Sequence, residues 1–445
     1  MASTYLIRST PSETFNKLTV SCWFKGMADG TQRNFWGLYD NTDSNRFFGL
    51  YYSSNGSLYA YWKQDGSLQF TLGTMQKFRD PSFWYHFVMT MDTTLATASD
   101  RVKFYLNGER ITVFEDSLDT ITQSKNIDLL GGSNGRMQWG GGKISGTQYY
   151  WNGSMSHCHM CVGYAYDASS FGSTDATTGE WKINTSPSVS YGTNGGFWLK
   201  DGNQLTDSST NSNTLTVGGG TLTKTEDCPS NVFATLNPLS LMIGGTYTFT
   251  NGNTTSEQNI SRGTVSNLGM TSGKFYAEAK FISTSGTNCV IGICGINNTS
   301  NQNPGLVASG YIYDQDGTKG NNDSNSSFGD TYTTGDIIGI AVDLDNLKIY
   351  FSKNGTWQNS GDPTSGSTGT GAAYTISAAS STPDGAYFFA WSDIHSTAKA
   401  SWNFGNGYFG TTAVSSAGTN ASGNGIFEYD VPTGYTALST KGLNL

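Results

Sequence analysis

Residues 84–108 read W-Y-H-F-V-M-T-M-D, then a polar turn, then R-V-K-F-Y-L-N-G. Side chains alternate between the two faces of an extended strand, so Val88, Thr90 and Asp92 share one face and Phe87, Met89 and Met91 the other. In the returning strand Val102, Phe104 and Leu106 alternate with Arg101, Lys103 and Tyr105. A period of two excludes an amphipathic helix, and Asn107-Gly108 supplies the turn chemistry that closes a hairpin. Residues 334–355, T-G-D-I-I-G-I-A-V-D-L-D-N-L-K-I-Y-F-S-K-N-G, repeat the idea. An apolar strand ends in Asp343, a polar turn follows, and an alternating strand ends in Asn354-Gly355. Two copies of one hairpin predict two domains of one architecture.

A chain of 445 residues has room for two or three domains. Its apolar share of 36% and charged share of 13% fall below the roughly 45–50% and 25% of ordinary globular proteins. Gly, Ser, Thr and Asn make up the difference, which is the chemistry of strands and turns. With 24 Tyr, 24 Phe and 11 Trp the chain has the large side chains that disordered sequences lack. The net charge of -9 and the absence of any Lys/Arg cluster exclude nucleic acid and anionic membrane as partners. No apolar run approaches the roughly 18 residues of a membrane helix, so no membrane insertion is expected. The start M-A-S-T-Y-L-I-R-S-T has no secretory signal peptide, which implies synthesis in a cytoplasm.

Short alternating segments fill residues 1–200: L-T-V-S-C-W-F-K, N-F-W-G-L-Y-D, R-F-F-G-L-Y-Y, S-L-Y-A-Y-W and S-L-Q-F-T-L, parted by turns such as Ser54-Asn55-Gly56. Strands at this spacing predict a sandwich or barrel. Residues 201–222 are almost wholly Gly, Ser, Thr, Asn and Asp and read as a linker, followed by a bridge to residue 240. A second strand series occupies 241–445, with K-F-Y-A-E-A-K-F-I, C-V-I-G-I-C-G-I and A-Y-F-F-A-W-S. The expected fold is all-β, two jelly-roll sandwiches in tandem. Cys158 and Cys161, like Cys289 and Cys294, are offset by odd numbers along a strand and point to opposite faces. All six cysteines therefore read as reduced and mostly buried, with a long-range Cys22–Cys158 disulfide as the rival.

At these residues the first domain, with L-T-V-S-C-W-F-K, D-P-S-F-W-Y-H-F-V-M-T-M-D, R-V-K-F-Y-L-N-G and W-N-G-S-M-S-H-C-H, resembles a laminin-G or concanavalin A-like domain. The second, with G-D-I-I-G-I-A-V-D-L-D-N-L-K-I-Y-F-S-K-N-G, is similar to a SPRY domain. The two in this order, joined by C-P-S-N-V-F-A-T-L-N-P-L, resemble virion surface proteins of tailed bacteriophages, marine ones in particular. The resemblance implies a tail fibre, tail knob or capsid appendage at the virion surface that binds a host glycan or receptor. It carries no catalytic residues.

Several motifs need weighing. A concanavalin A-like glucanase needs two carboxylates on one strand face, and no E-x-D-x-E pattern occurs. Glu115, Asp116 and Asp119 come nearest and read as a solvated turn. Gly131-Gly132-Ser133-Asn134-Gly135 fits G-x-S-x-G but has no following helix. His157, His159 and Cys161 share a strand face by spacing and could ligate zinc, yet neighbours roughly 6.5–7 Å apart favour ordinary strand positions, and no zinc site is expected. Asp314 and Asp316 carry the oxygen-rich look of a calcium loop, although Asx turns explain the same residues. Trp139, Tyr149 and Tyr150 in the first domain, and Tyr311, Tyr313 and Trp391 in the second, are the ligand-binding candidates, because aromatic faces stack on sugars. The alternative places these rings in the core or at subunit contacts.

The expectation is thus a non-enzymatic virion appendage, a homo-oligomer partnered by other virion proteins and by a host-surface glycan or protein. The alternatives are a structural decoration that docks onto other virion subunits, and a glycan-degrading enzyme.

Overall fold

The computed structural model describes residues 3–26, 30–118, 121–130, 134–200, 204–240, 247–258, 262–284, 289–295, 303–393 and 398–444. Asp119, Gly131–Ser133 of the G-x-S-x-G pattern and the first three residues of the expected linker lie outside them. The chain divides into two compact units, residues 1–224 with 228–230, and 225–227 with 231–445. Among the described residues all helical turns are short 3-10 segments and the rest of the regular structure is strand. The fold class is all-β.

The first unit contains an eight-stranded sheet. Its order is Phe114–Leu118, Ser67–Thr74, Leu58–Gln64, Phe47–Tyr52, Arg33–Asp40, Gly135–Trp139, Tyr5–Ser9, Thr216–Gly219. A six-stranded sheet runs Glu109–Ile111, Val102–Leu106, Tyr85–Asp92, Lys17–Gly26, Gly153–Val162, Gly196–Trp198. The inward positions of both, among them Val20, Cys22, Trp36, Phe48, Trp62, Phe87 and Met89, form one core. The second unit pairs a nine-stranded sheet centred on Lys274–Ser283 and Ile337–Asp343 with a six-stranded one centred on Cys289–Cys294 and Phe388–Asp393. Its core includes Phe275, Ile291, Ile340, Phe351, Trp391 and Trp402.

Two expectations change. The stretch 201–222 is not a free linker: Thr216–Gly219 pairs with Tyr5–Ser9, and Leu215 is buried with Leu205 and Leu222 packed beside it. Its few apolar residues find the core although polar ones surround them. Asn107-Gly108 and Asn354-Gly355 also close the next hairpin rather than the one named above, joining Val102–Leu106 to Glu109–Ile111 and Lys348–Lys353 to Thr356–Trp357. Both residues of each turn have positive φ, 45° and 85° in the first and 48° and 80° in the second, as a two-residue primed turn requires.

The twin hairpins match in detail. Lys17 stands opposite Asp92 and bonds it at 3.0 Å, and Lys274 stands opposite Asp343 and bonds it at 2.9 Å. Asn107 Oδ1 accepts from His86 N, and Asn354 Oδ1 accepts from Ile337 N, at 2.9 and 2.8 Å. None of the six cysteines forms a disulfide, and five of them are buried.

Candidate functional site

In the eight-stranded sheet Leu58, Ala60 and Trp62 point into the core, as do Phe48, Leu50 and Tyr52, so alternation turns Tyr59, Tyr61, Lys63, Phe47, Gly49 and Tyr51 to the outer face. Register arranges them in rows: Tyr39, Phe47 and Lys63, then Gly37, Gly49 and Tyr61, then Tyr51 and Tyr59 beside Gly73. Phe47 stacks on Tyr61 with centroids 5.4 Å apart at 7°, and Tyr51 on Tyr59 at 5.3 Å and 11°. Tyr51, Tyr59 and Tyr61 keep part of their surface in water. Tyr59 lies so close over Gly73 that an added Cβ would meet its ring at 2.4 Å.

At the Tyr59 end Glu115 gathers four donors. Its Oε1 accepts from Asn55 Nδ2 (3.0 Å), Ser57 Oγ (2.6 Å) and the Tyr59 hydroxyl (3.1 Å), and Oε2 from Lys77 Nζ (2.6 Å). Lys77 and Ser57 above all pull this carboxyl down to about 2, so it stays ionised and is a poor general acid. Glu115 sits in the edge strand Phe114–Leu118 rather than in the expected solvated turn, because that segment pairs with Ser67–Thr74.

At the other end the hairpin of Gly141–Ile144 and Thr147–Tyr150 crosses the outer face. Asn34 Nδ2 donates to Gly142 O at 3.3 Å, and Ile144 lies against Gly49. Between this hairpin and the turn after Arg33–Asp40 is a depression of about 170 Å³, lined by Asp40, Asn41, Asp43, Ser44, Arg46 and Lys143 together with Tyr39 and Phe47. Lys143 Nζ donates to Asn41 Oδ1 at 2.7 Å and sits 5.4 Å from the Tyr39 ring centre. Arg46 bridges Asp65 and Asp128. Partial burial pushes the Asp40 carboxyl up, but hydrogen bonds from Thr42 and Asp43 and the Arg46 charge outweigh it and hold it below the ordinary range.

The outer face of the six-stranded sheet is covered instead. Thr19 Oγ1 donates to Tyr164 O and accepts from Tyr166 N, Thr90 Oγ1 donates to Tyr166 O, and Trp181 Nε1 donates to His86 Nδ1 at 2.9 Å. Ser21 Oγ lies 2.9 Å from His86 Nε2, which superficially resembles a nucleophile and its base. An indole nitrogen only donates, so Nδ1 is the acceptor and Nε2 carries the proton. Nε2 therefore has no lone pair to take one from Ser21, and both residues are fully buried.

The aromatic candidates from sequence are redistributed. Trp139 is fully buried between Trp36 and Trp198, because Gly135–Trp139 is a strand inside the sheet and Met137 and Trp139 take its inward positions. Tyr311, Tyr313 and Trp391 are likewise core residues. Tyr311 pairs its hydroxyl with Ser377 Oγ, Tyr313 donates to Asp330 O, and Trp391 donates to Ser256 Oγ. None of these four rings can stack on a ligand. Tyr149 and Tyr150 remain half-exposed on the crossing hairpin, Tyr150 packing on Tyr5. Tyr59 and Tyr61 were findable, since L-Y-A-Y-W-K alternates cleanly.

Metal candidates separate as well. Asp316 Oδ1 accepts from Thr318 N and Oγ1 in an Asx turn, while Asp314 is buried at a strand end and pushed up to about 6, by that burial first and by Asp316 second. His157 takes positive φ at a bulge that sets it and Cys158 against Cys22. His159 Nδ1 is 3.0 Å from the Tyr191 hydroxyl, and Cys161 packs with Val88, Ala168 and Phe171. Among the described residues no three His, Cys, Asp or Glu side chains converge to hold a metal ion.

Residues 2–160 match the concanavalin A-like lectin/glucanases superfamily, and residues 274–378 match the SPRY domain. No curated protein matches. Similar solved structures include a native heptameric SAP-like pentraxin from Limulus polyphemus (16% identity, 37% of this chain and 72% of that one, TM-score 0.27). Others are the SPRY domain of human HERC1 (14%, 34% and 87%, TM-score 0.27) and a Ruminococcus gnavus sialidase CBM40 bound to α2,3 sialyllactose (20%, 34% and 79%, TM-score 0.27). The two family matches place a concanavalin A-like domain before a SPRY domain in the chain.

Proposed function

We propose that the protein is a non-enzymatic glycan-recognition appendage of a tailed-phage virion, and that its first unit takes a sugar in the depression beside Asp40–Arg46 and Lys143. The observation that carries this reading is the lining. Acceptors on Asp40, Asn41 and Asp43 face donors on Ser44, Arg46 and Lys143 around a space of about 170 Å³, smaller than the roughly 300 Å³ of drug-sized sites. Arg46 is already paired with Asp65 and Asp128 and Lys143 is the other cation in the lining, so little positive charge is left for an anionic ligand, which suits a neutral one whose hydroxyls both give and accept hydrogen bonds. The name of the family matched by residues 2–160 includes lectins. Glu115, held ionised, and His86, with Nε2 protonated and fully buried, are poorly placed to serve as a general acid and a base. The virion setting rests on the order of the two domains and the segment 228–239 that joins them, and many copies on one particle would turn weak sugar contacts into avidity.

Titration with glucose, galactose and N-acetylglucosamine tests it. Asn41→Ala and Lys143→Ala are both outside the core and should lower affinity severalfold with unchanged melting. Unchanged affinity in both would remove this site. Adsorption blocked only by antibodies to other virion proteins would favour the structural-decoration alternative.

A further inference from the structure

We infer that residues 164–190 form a lid over the outer face of the six-stranded sheet, fastened on two buried histidines, and that protonation of His86 and His159 in acid opens it while the core between the sheets stays closed. The lid holds its own shape. Gly172–Thr174 pairs with Trp181–Ile183, the Asp167 side chain caps the turn Ala168–Ser170, and Asn184 N donates to Phe171 O. Its attachment to the sheet is of another kind, since among the described residues no backbone-to-backbone hydrogen bond joins 164–190 to a strand of that sheet. Such bonds resume only at its ends, where Gly163 N donates to Lys17 O and Val162 N to Tyr191 O. Gly163 and Gly192, at φ of 83° and 68°, bracket it, a backbone conformation that glycine adopts freely.

Side chains do the fastening. Trp181 Nε1 donates to His86 Nδ1 at 2.9 Å, with the two rings stacked at 16°. The Tyr191 hydroxyl lies 3.0 Å from His159 Nδ1, and the Phe171 ring centre is 5.0 Å from that imidazole. Thr19 and Thr90 add bonds to Tyr164 O and Tyr166 O. Register sets the histidines in neighbouring rows, His86 with Trp23 and Ser156, and His159 with Ser21 and Val88. His157, also buried, acts on both, so three of the chain's four histidines gather in one buried cluster.

The charges around this cluster oppose an imidazolium. His157 acts on His86, and His157, His86 and Lys200 act on His159. On the same sheet face Lys25 lies over the Trp84 ring and Lys103 pairs with Asp100. Asp207 faces Tyr191, and Asp167 faces Tyr105. Burial raises both the Tyr191 hydroxyl and the Cys161 thiol, which stay neutral. Burial first, and the neighbouring cations second, hold His86 and His159 neutral under the closed lid. In the open form each meets water and regains the ordinary value of about 6.5. Protons therefore favour opening below about pH 6.5, by up to roughly tenfold per pH unit for each histidine.

The cysteines report the two layers separately. Cys161 sits under the lid with Val88, Ala168 and Phe171, whereas Cys22 and Cys158 lie in the core between the sheets. The full-length protein is labelled with 4,4′-dithiodipyridine, which reacts in acid, at pH 7.5 and 5.0. Each cysteine is quantified by peptide mass spectrometry against an unstructured cysteine peptide at the same pH. Normalised labelling of Cys161 should rise by about 30-fold in acid, the gain from one imidazole freed at 6.5 between these pH values, and more with two. Cys22 and Cys158 should stay protected at both. Trp181→Phe, which removes a fastener, should raise Cys161 labelling already at pH 7.5, and His86→Gln and His159→Gln should each shrink the acid response. Labelling of Cys161 that does not rise in acid overturns the proposal. So does a rise shared by Cys22 and Cys158, which would be unfolding of the whole unit, or an acid response that both glutamine variants leave intact. Should either glutamine variant fail to fold, the unmodified chain and Trp181→Phe decide the matter.

Discussion

His86 is held between Trp23 and Trp181, its ring centre 4.8 and 5.9 Å from theirs. Ser21 and Trp181 face its two nitrogens, Asn107 bonds its backbone, and His157 and His159 are titratable neighbours. Burial first, and His157 second, push this imidazole down to about 3 from its usual 6.5. A depressed base favours its neutral form in the fold, so its contribution is fully present above pH 6.5 and is lost as pH falls from there toward 3. One such group accounts for at most about 1.4 kcal/mol per pH unit. Urea midpoints at pH 7.5 and 5.0 should therefore show the first unit weakened in acid. His86→Gln keeps an acceptor for Trp181 and a donor for Ser21, and should reduce that difference. An unchanged difference would leave the acid response to other groups. Trp181→Phe removes the indole donor to Nδ1, and should cost about 1–3 kcal/mol, the penalty of a buried acceptor left bare.

The twin hairpins use one device at two depths. Asp343 is 1% exposed and its Lys274 partner 24%, whereas Asp92 and Lys17 are 12% and 39% exposed. Asp343 also takes the Asp345 and Asn346 backbone N–H groups, and Asp92 that of Thr94. Asp343→Ala should cost roughly 3 kcal/mol, near the low end for breaking a buried pair because Lys274 still reaches water. Asp92→Ala should cost under about 1 kcal/mol, as exposed pairs do. Equal losses by chemical denaturation would show that burial does not set the difference. Lys17 and Lys274 each begin a strand that ends far along the chain from its aspartate, so the hairpins were legible in sequence while their lysine partners were not. Strand alternation showed which residues share a face, but not which face meets water. In Gly310–Asp314 every residue is buried, so Tyr311 and Tyr313 alternate with Ile312 without either face being wet. Thr19 and Thr90 look solvent-facing by pattern and are covered by a segment some 75 to 145 residues away in sequence.

On the scale of the whole chain, the cores are closed within their own units. The first draws on residues from Leu6 to Leu215, and the second on residues from Ala234 to Leu438. The two-domain, all-β reading was legible because period-two patterning and Asn-Gly turns act locally, whereas the polar stretch 201–222 hid a strand whose pairing is with residues near the start of the chain. Each core buries its own aromatic set, and hydrophobic burial is the dominant favourable term in folding, so each unit should melt cooperatively by itself. Scanning calorimetry of the full-length protein should then show two transitions. Trp181→Phe should lower one midpoint by several degrees, since about 1 kcal/mol shifts a domain of this size by roughly 2–4 °C, and leave the other in place. Asp343→Ala should do the reverse. A single transition that both substitutions move would mean that the units unfold as one body, and the outer-face sites of the first unit would then depend on the integrity of the second.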